Sequence, residues 1–304
     1  MRTRRMLSGI VLLVIVLLGG YSSAASGMEI SKQGVAPDVT PAGPVTILDA
    51  EEFVFHSAIT GRDYRIYIGL PPGYAERADR PPKYPVIYSL DANWHFTIDV
   101  GSSRFLNVGF EFDPTIVVGI GYPTDDRWEL EELRAWDYRP GYGAEAFLRF
   151  IQEELVPYID ATYRTDKQDR TLAGHSYGGL FTLYTLFHDT KTFKRYVAMS
   201  PALWYGYEYE GQRLIFDYEA AYAAENAQLP VNLFLSVGEL EPEELYGFRM
   251  VSNLIEFYEV LASRDYEGLA LEMDVIDGLG HAGCYPGAFT RGLFEVMPHP
   301  ALPK

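Results

Sequence analysis

The hexapeptide Gly174-His175-Ser176-Tyr177-Gly178-Gly179 constrains this 304-residue chain more than any other stretch. It matches G-x-S-x-G, the pattern of a sharp strand-to-helix turn that lifts a serine hydroxyl above the end of a sheet. Such a turn strains the serine backbone, and strand and helix come close enough around it only where residues lack a Cβ. The flanks agree with that reading. Arg170-Thr171-Leu172-Ala173 reads as a short buried strand, and Leu180-Phe181-Thr182-Leu183-Tyr184-Thr185-Leu186-Phe187 as an apolar helix. A glycine-rich turn without function would explain the hexapeptide, but not the strand before it and the helix after it.

The rest of the chain supplies a fold for such a turn. Residues 85–90, 115–120, 170–174, 195–199 and 232–237 are continuous apolar runs, and 269–276 alternates. Strands apolar on both sides belong in a parallel sheet covered by helices. Residues 52–59 and 63–70 flank Thr60-Gly61-Arg62 as an antiparallel hairpin. Helical patterns occupy residues 144–163, 177–188, 210–227 and 247–264. A hairpin followed by strand–helix alternation, with the serine turn after the fifth strand, predicts an α/β-hydrolase fold: a mostly parallel central sheet, helices on both faces, no separate lid domain. Residues 125–143 and 204–212 are long enough to be substrate loops. No internal repeat is present.

Composition bounds the partners. With 48% hydrophobic and 14% aromatic residues the chain can bury a large core. A net charge of −17 disfavours nucleic acid and anionic membrane surfaces. Arg2, Arg4 and Arg5 precede an apolar run from Met6 to Leu18 and a small-residue stretch, the order of a signal peptide with cleavage near Ala24 or Ala25. The expected organisation is a signal peptide over 1–25, an extended leader over 26–48 and one catalytic domain over 49–304, located in the periplasm or secreted. An uncleaved N-terminal anchor is the rival reading, disfavoured because the apolar run falls short of the ~20 residues a membrane span needs; once the signal is cleaved, no stable insertion is expected. Cys284 is the only cysteine, which excludes an intramolecular disulfide and a multi-cysteine metal site. No metal or organic cofactor is expected.

A serine hydroxyl needs a base, and the base an orienting carboxylate. In this fold they follow in the order Ser, acid, His. Of the six histidines, His281 alone lies downstream of the last strand in a loop before a helix, the small-residue stretch Gly278-Leu279-Gly280-His281-Ala282-Gly283. His299 sits in a Pro-rich tail, and the His175 side chain is expected to point away from Ser176. The acid should follow the strand 232–237, where Glu239, Glu241, Glu243 and Glu244 are candidates. An oxyanion hole needs two backbone N–H groups. Tyr177 should supply one, and Ala92 or Asn93 the other, from the loop Asp91-Ala92-Asn93-Trp94. Asp91 itself should fix that loop by hydrogen bonds.

The chain resembles the esterase D-like branch of the α/β hydrolases, and within it the siderophore esterases that open enterobactin- or salmochelin-type trilactones. The resemblance runs from about residue 50 to the end. It rests on Val86-Ile87-Tyr88-Ser89-Leu90-Asp91, Val118-Gly119-Ile120-Gly121-Tyr122, Arg134-Ala135-Trp136-Asp137-Tyr138-Arg139-Pro140, the serine turn, Ser200-Pro201-Ala202-Leu203-Trp204 and the glycine-flanked His281. It implies Glu241 as the acid, three residues after the glycine ending its strand, with Glu239 the alternative. It implies a place for Arg134 at the mouth of the site, where a planar charged donor meets catecholate oxygens. The alternative for Arg134 is an ion pair with Glu129, Glu131 or Glu132. Trp204 and Tyr138 join it as candidate substrate contacts, because the aromatic segments around Trp94, Trp136 and Trp204 favour a flat substrate. One departure stands out: Asp91-Ala92 replaces the Asp-Gly common in such enzymes, and a methyl there alters the freedom of the oxyanion loop.

The leading expectation is therefore an exported serine carboxylesterase with a Ser-His-Glu triad and a small-molecule ester substrate. A siderophore trilactone heads the candidates; small acyl or aromatic esters are the alternative. Secreted mycolyltransferases share the fold and residue set, so acyl transfer is a second class, and a non-catalytic binding module a third.

Overall fold

Strands that are apolar on both faces need two covering layers, and alternate residues divide between them. In β3 (Tyr84–Leu90), Val86, Tyr88 and Leu90 enter one core and Ile87 the other. In β4 (Ile116–Gly121), Ile116, Val118 and Ile120 are separated from Val117 in the same way. The computed structural model describes residues 44–77, 82–109, 113–206, 212–243 and 248–297. The expected signal peptide, most of the leader, Glu244 and His299 lie outside the described residues. From Ile47 onward the described residues form one compact unit.

The sheet has eight strands in the order β1-β2-β4-β3-β5-β6-β7-β8. The hairpin of β1 (Ala50–Ser57) and β2 (Arg62–Gly69) is antiparallel, and β2 also runs antiparallel to β4. The other strands are parallel: β3, β4, β5 (Thr165–His175), β6 (Arg195–Met199), β7 (Asn232–Gly238) and β8 (Ala270–Ile276). This is the α/β-hydrolase arrangement expected from the pattern. The chain leaves β3 towards β4 and β5 towards β6, so the crevice at the carboxyl ends of β3 and β5 is the switch point, where open α/β sheets take their ligands.

The helix α1 (Ala92–Val108) begins directly after β3, where the sequence pattern placed a loop. Its inner face carries Asp99 and Ser103 among Phe96, Val100 and Leu106, so no clean apolar period marks it. Likewise α2 (Arg127–Asp137) occupies most of the expected substrate loop 125–143. Asp126 caps it by accepting from the N–H groups of Trp128 and Glu129, while its buried face is Leu130, Arg134 and Asp137. Two polar residues out of three hide that helix from a hydrophobicity pattern.

The expected helix 144–163 is continuous but uneven, with α3 (Ala144–Arg149), a π-helical stretch (Phe150–Leu155) and α4 (Val156–Thr162). Pro157 lacks an N–H to donate and crowds the preceding turn, a sufficient cause for the widened stretch. Helix α5 (Tyr177–His188) matches its expected span, and α6 (Leu214–Glu225) and α7 (Met250–Ser263) are shorter than theirs. Last comes α8 (Tyr285–Val296), which covers the same face as α1. It sits against the sheet at Gly292, where a Cβ would stand 2.5 Å from Val197 Cγ1 and 2.9 Å from Phe234 Cδ1. Gly292→Val should lower stability by about 1–3 kcal/mol through overpacking, read as a reduced urea midpoint with an unchanged denaturant slope.

Candidate active site

Ser176 stands between β5 and α5 at φ 59°, ψ −118°, a strained conformation for a residue with a side chain. Two glycines make room for it. A Cβ at Gly174 would lie 2.3 Å from the Gly178 carbonyl oxygen, and one at Gly179 2.9 Å from that of Met199. The Ser176 N–H donates to Met199 O at 3.0 Å, and its carbonyl accepts from Leu180 and Ala202. The strained turn is thus locked to β6 as well as to its own helix.

The loops after β7 and β8 meet because Gly238 has no side chain; a Cβ there would be 2.4 Å from the Leu279 carbonyl oxygen. Leu240 N–H donates to that oxygen at 3.0 Å. This contact brings Glu241 under His281, with Glu241 Oε2 2.6 Å from His281 Nδ1. Glu241 Oε1 accepts from Ser200 Oγ at 2.5 Å and Gly238 N–H at 2.7 Å, and Ser200 itself is held at φ 44°. Burial alone would raise the Glu241 pKa, but the His281 hydrogen bond and charge, then Ser200 and Gly238, bring it below its ordinary value. Because Glu241 stays ionised, it accepts from Nδ1–H, and Nε2 is the ring atom left for proton transfer. Glu239 is engaged elsewhere and accepts from Gly278 N–H at 2.9 Å.

Ser176 and His281 line one cavity of about 640 Å³ together with Asp91, Trp94, His95, Arg127, Glu131, Arg134, His175 and Tyr285. His175 does not turn away as expected. Its Nε2–H donates to the His281 carbonyl at 2.8 Å, tying the residue before the serine to the histidine loop. Burial, and then the neighbouring His281 and His95, push its pKa down to about 3, so it is neutral at pH 7. His95 stacks on Tyr285 with centroids 3.7 Å apart, and burial lowers its pKa too. Behind them Asp99 accepts from Ser89 Oγ at 2.6 Å and Tyr285 Oη at 2.7 Å, and burial raises its pKa to about 7.

The opposite wall depends on Asp91, which joins β3 to α1 at φ 57°. Arg134 donates to both of its oxygens, Nε at 2.7 Å and Nη2 at 2.8 Å, and to Glu131 at 3.2 Å. Burial pushes the Asp91 pKa up, but Arg134 outweighs it and holds the carboxylate below its usual range. Ala92 and Asn93 are the first two residues of α1, and Trp94 and His95 donate back to the Asp91 carbonyl. The N–H groups of a first turn have no partner within the helix, and both candidate donors occupy such positions in α1, as Tyr177 does in α5. The Ala92 methyl faces β4, where a Cβ at Gly119 would be 2.7 Å from it. The Asn93 side chain is spent on the backbone of Tyr122 and Thr124. Among the described residues no group of three or more His, Cys, Asp or Glu is placed to hold a metal ion.

Comparison with known proteins places the chain in a family. The family model described as "Putative esterase" matches residues 57–242. The chain belongs to that family and is an esterase. It is 32% identical to the ferri-bacillibactin esterase BesA of Bacillus subtilis over 85% of this chain and 92% of that protein. It is 29% identical to the apo-salmochelin esterase of Escherichia coli, over 86% and 85%. The crystal structure of the BES protein from Bacillus cereus superposes with a TM-score of 0.73 at 29% identity, covering 86% of this chain and 99% of that one.

Not every candidate contact of this esterase reaches the cavity. Tyr138 is fully buried. Its hydroxyl accepts from Asp91 N–H at 3.2 Å, so it supports the loop from behind and offers no surface to a substrate. Trp204 packs on Phe248 and Tyr177, with centroids 4.6 and 5.9 Å away, and is not among the described residues lining the cavity. Arg134 does line it, though its carboxylate partners are Asp91 and Glu131, the first invisible to helical spacing. His95 and His175 carried no signal in the sequence beyond their proximity to Asp91 and Ser176.

Removing the arginine strands a buried carboxylate. Arg134→Met should cost about 3–5 kcal/mol in urea denaturation. Adding Asp91→Asn should recover part of that, a coupling that simple loss of packing would not give. Asp99 has the opposite linkage. The folded protein keeps its proton up to about pH 7, while the unfolded chain releases it near 3.8. The folded state binds the extra proton in that window, so this contribution to stability is lost as pH rises from about 4 to 7. Asp99→Asn should therefore gain several degrees in Tm relative to wild type between pH 5 and pH 8; a constant difference would contradict the assignment.

Proposed function

We propose that this esterase hydrolyses siderophore esters through a Ser176–His281–Glu241 triad and an acyl-enzyme. The observation that carries the reading is the 2.6 Å Glu241–His281 hydrogen bond on loops that put His281 in the same cavity as the strained Ser176. The names of the relatives, ferri-bacillibactin and apo-salmochelin esterases among them, support the substrate class.

Ser176 Oγ attacks the ester carbonyl carbon while its proton passes to His281 Nε2, and Glu241 stabilises the imidazolium through Nδ1–H. The N–H of Tyr177 and that of Ala92 or Asn93 take the tetrahedral oxyanion, each worth about 10²–10³ in rate. Collapse breaks the bond to the alkoxide, which leaves with the His281 proton. Water then adds to the acyl-enzyme, gives its proton to His281, and the acid departs as Ser176 recovers its own. Arg134 acts chiefly by holding Asp91, and so the start of α1. The arginines before the Met6–Leu18 apolar run support export, with the signal peptide removed near Ala24 or Ala25.

Purified Ser176→Ala should lose p-nitrophenyl ester turnover by several orders of magnitude while remaining folded, and should no longer react with a fluorophosphonate probe. Glu241→Gln should fall by about 10³–10⁴ and Glu239→Gln by less than tenfold. Equal losses in the two glutamine variants, or activity retained in Ser176→Ala, would overturn the triad.

A further inference from the structure

Ser176 and His281 reach their common cavity from strands that are not neighbours. Ser176 follows β5 and His281 follows β8, with β6 and β7 between them in the sheet. Three spacings of about 4.8 Å make the reach back roughly 14 Å. The loop that makes it, residues 277–284, contains three glycines, with Gly278 at φ 66°. Such a backbone can take the path, but its freedom does not fix where the imidazole stops.

Glu241 alone does not fix it either. One hydrogen bond at Nδ1 leaves the ring free to swing about that contact and takes no hold on the backbone. The second hold is on the His281 carbonyl, which accepts from His175 Nε2–H at 2.8 Å. A carbonyl oxygen only accepts, so the neutral His175 ring carries its proton on Nε2. The Cys284 thiol approaches the same oxygen at 3.3 Å. It also lies 3.4 Å from Ser200 Oγ and 3.6 Å from Glu241 Oε1, so its single proton faces three acceptors. His175 is the firmer donor, and it comes from the serine strand itself. As the last residue of β5 it shares a face with Ala173, towards α1 and α8. Its ring packs 4.5 Å from that of His281 and edge-on to His95 and Tyr285, at 5.8 and 5.5 Å. Three rings around it leave it one orientation.

We propose that His175 is a positioning residue for ester hydrolysis, whose hydrogen bond to the His281 carbonyl sets the separation of nucleophile and base. The proposal rests on the triad reading above. Glu241 holds His281 by its side chain and His175 holds it by its backbone, one residue from Ser176. A shift of the serine turn therefore carries the base with it. The same base serves acylation and deacylation, so loss of the bridge slows both steps and leaves substrate binding alone.

The test is a pair of substitutions in the full chain that differ in reach. Glutamine puts an amide nitrogen where His175 Nε2 stands, whereas asparagine stops short at the level of Nδ1. kcat and KM for p-nitrophenyl butyrate are measured per active site, titrated with a fluorophosphonate, so unfolded protein is not counted. His175→Asn should lower kcat by about 10- to 100-fold, the scale of a displacement near 1 Å, with KM within about twofold. The rate constant of fluorophosphonate labelling should fall by the same factor, since it needs the same proton transfer. His175→Gln should restore both rates to within about threefold of wild type. His175→Leu, which fills the space without a donor, should match His175→Asn and decides the matter where the asparagine variant does not fold. A lower urea midpoint with kcat unchanged would overturn the proposal. So would a loss in His175→Gln as deep as in His175→Asn, or a rise in KM that accounts for the whole effect. Each of these leaves the triad standing if Ser176→Ala is inactive; an active Ser176→Ala removes triad and bridge together.

Discussion

The buried pair of Arg134 and Asp91 is the constraint on which the substrate side of this molecule depends. Asp91 occupies a left-handed backbone position between β3 and α1 and has no side-chain role in capping the helix. Its carboxylate instead receives a bidentate guanidinium from α2, its N–H reaches the Tyr138 hydroxyl, and a Cβ at Gly178 would lie 3.1 Å from its Oδ2. A strand end, two helices and the serine turn are therefore fixed around one side chain. Burying such a pair is weak in net stability, since desolvation offsets most of the attraction. Its value is positional: neither partner can move without exposing the other as an uncompensated charge.

The histidine side is assembled differently, by close backbone contact and by hydrogen bonds gathered on one carboxylate. The absent side chain of Gly238 allows the loops after β7 and β8 to touch, and Glu241 then finds Ser200, Gly238 and His281 as donors around its two oxygens. A carboxylate with its lone pairs so occupied has one orientation. His175 adds a strut from the serine turn to the His281 carbonyl. Its depressed pKa keeps it uncharged, so it does not compete with His281 for a proton at neutral pH.

Legibility in the sequence followed the physics of burial. The parallel strands and α5 could be read to within a residue or a few, because their burial is apolar and leaves a period. Helices α1 and α2 could not, since Asp99, Ser103, Arg134 and Asp137 point inward and look like solvent-facing positions. The same polarity hid the partner of Arg134, which lies 43 residues away. Glu239 and Glu241 could not be ranked by composition or pattern, because both follow β7; only the contact with the Leu279 segment sends one to His281 and the other to Gly278. Tyr138 looked like a substrate contact beside Arg134 and is instead packing behind Asp91. Serine and histidine were legible because glycine surrounds both, and glycine in that density reports backbone demands rather than side-chain chemistry.

The methyl of Ala92 nestles over Gly119 of β4 with no space for another carbon. Two positions 27 residues apart thus share one allotment of volume. A side chain at 119 would meet that methyl at 2.7 Å and also Phe96 Cδ2 at 3.0 Å and Tyr67 Cβ at 3.3 Å, so glycine at 92 is necessary for it but not sufficient. The entry to α1 is thus hemmed in from its own first and second turns and from β2, and any growth at 119 has to be matched at 92 and at 96 together.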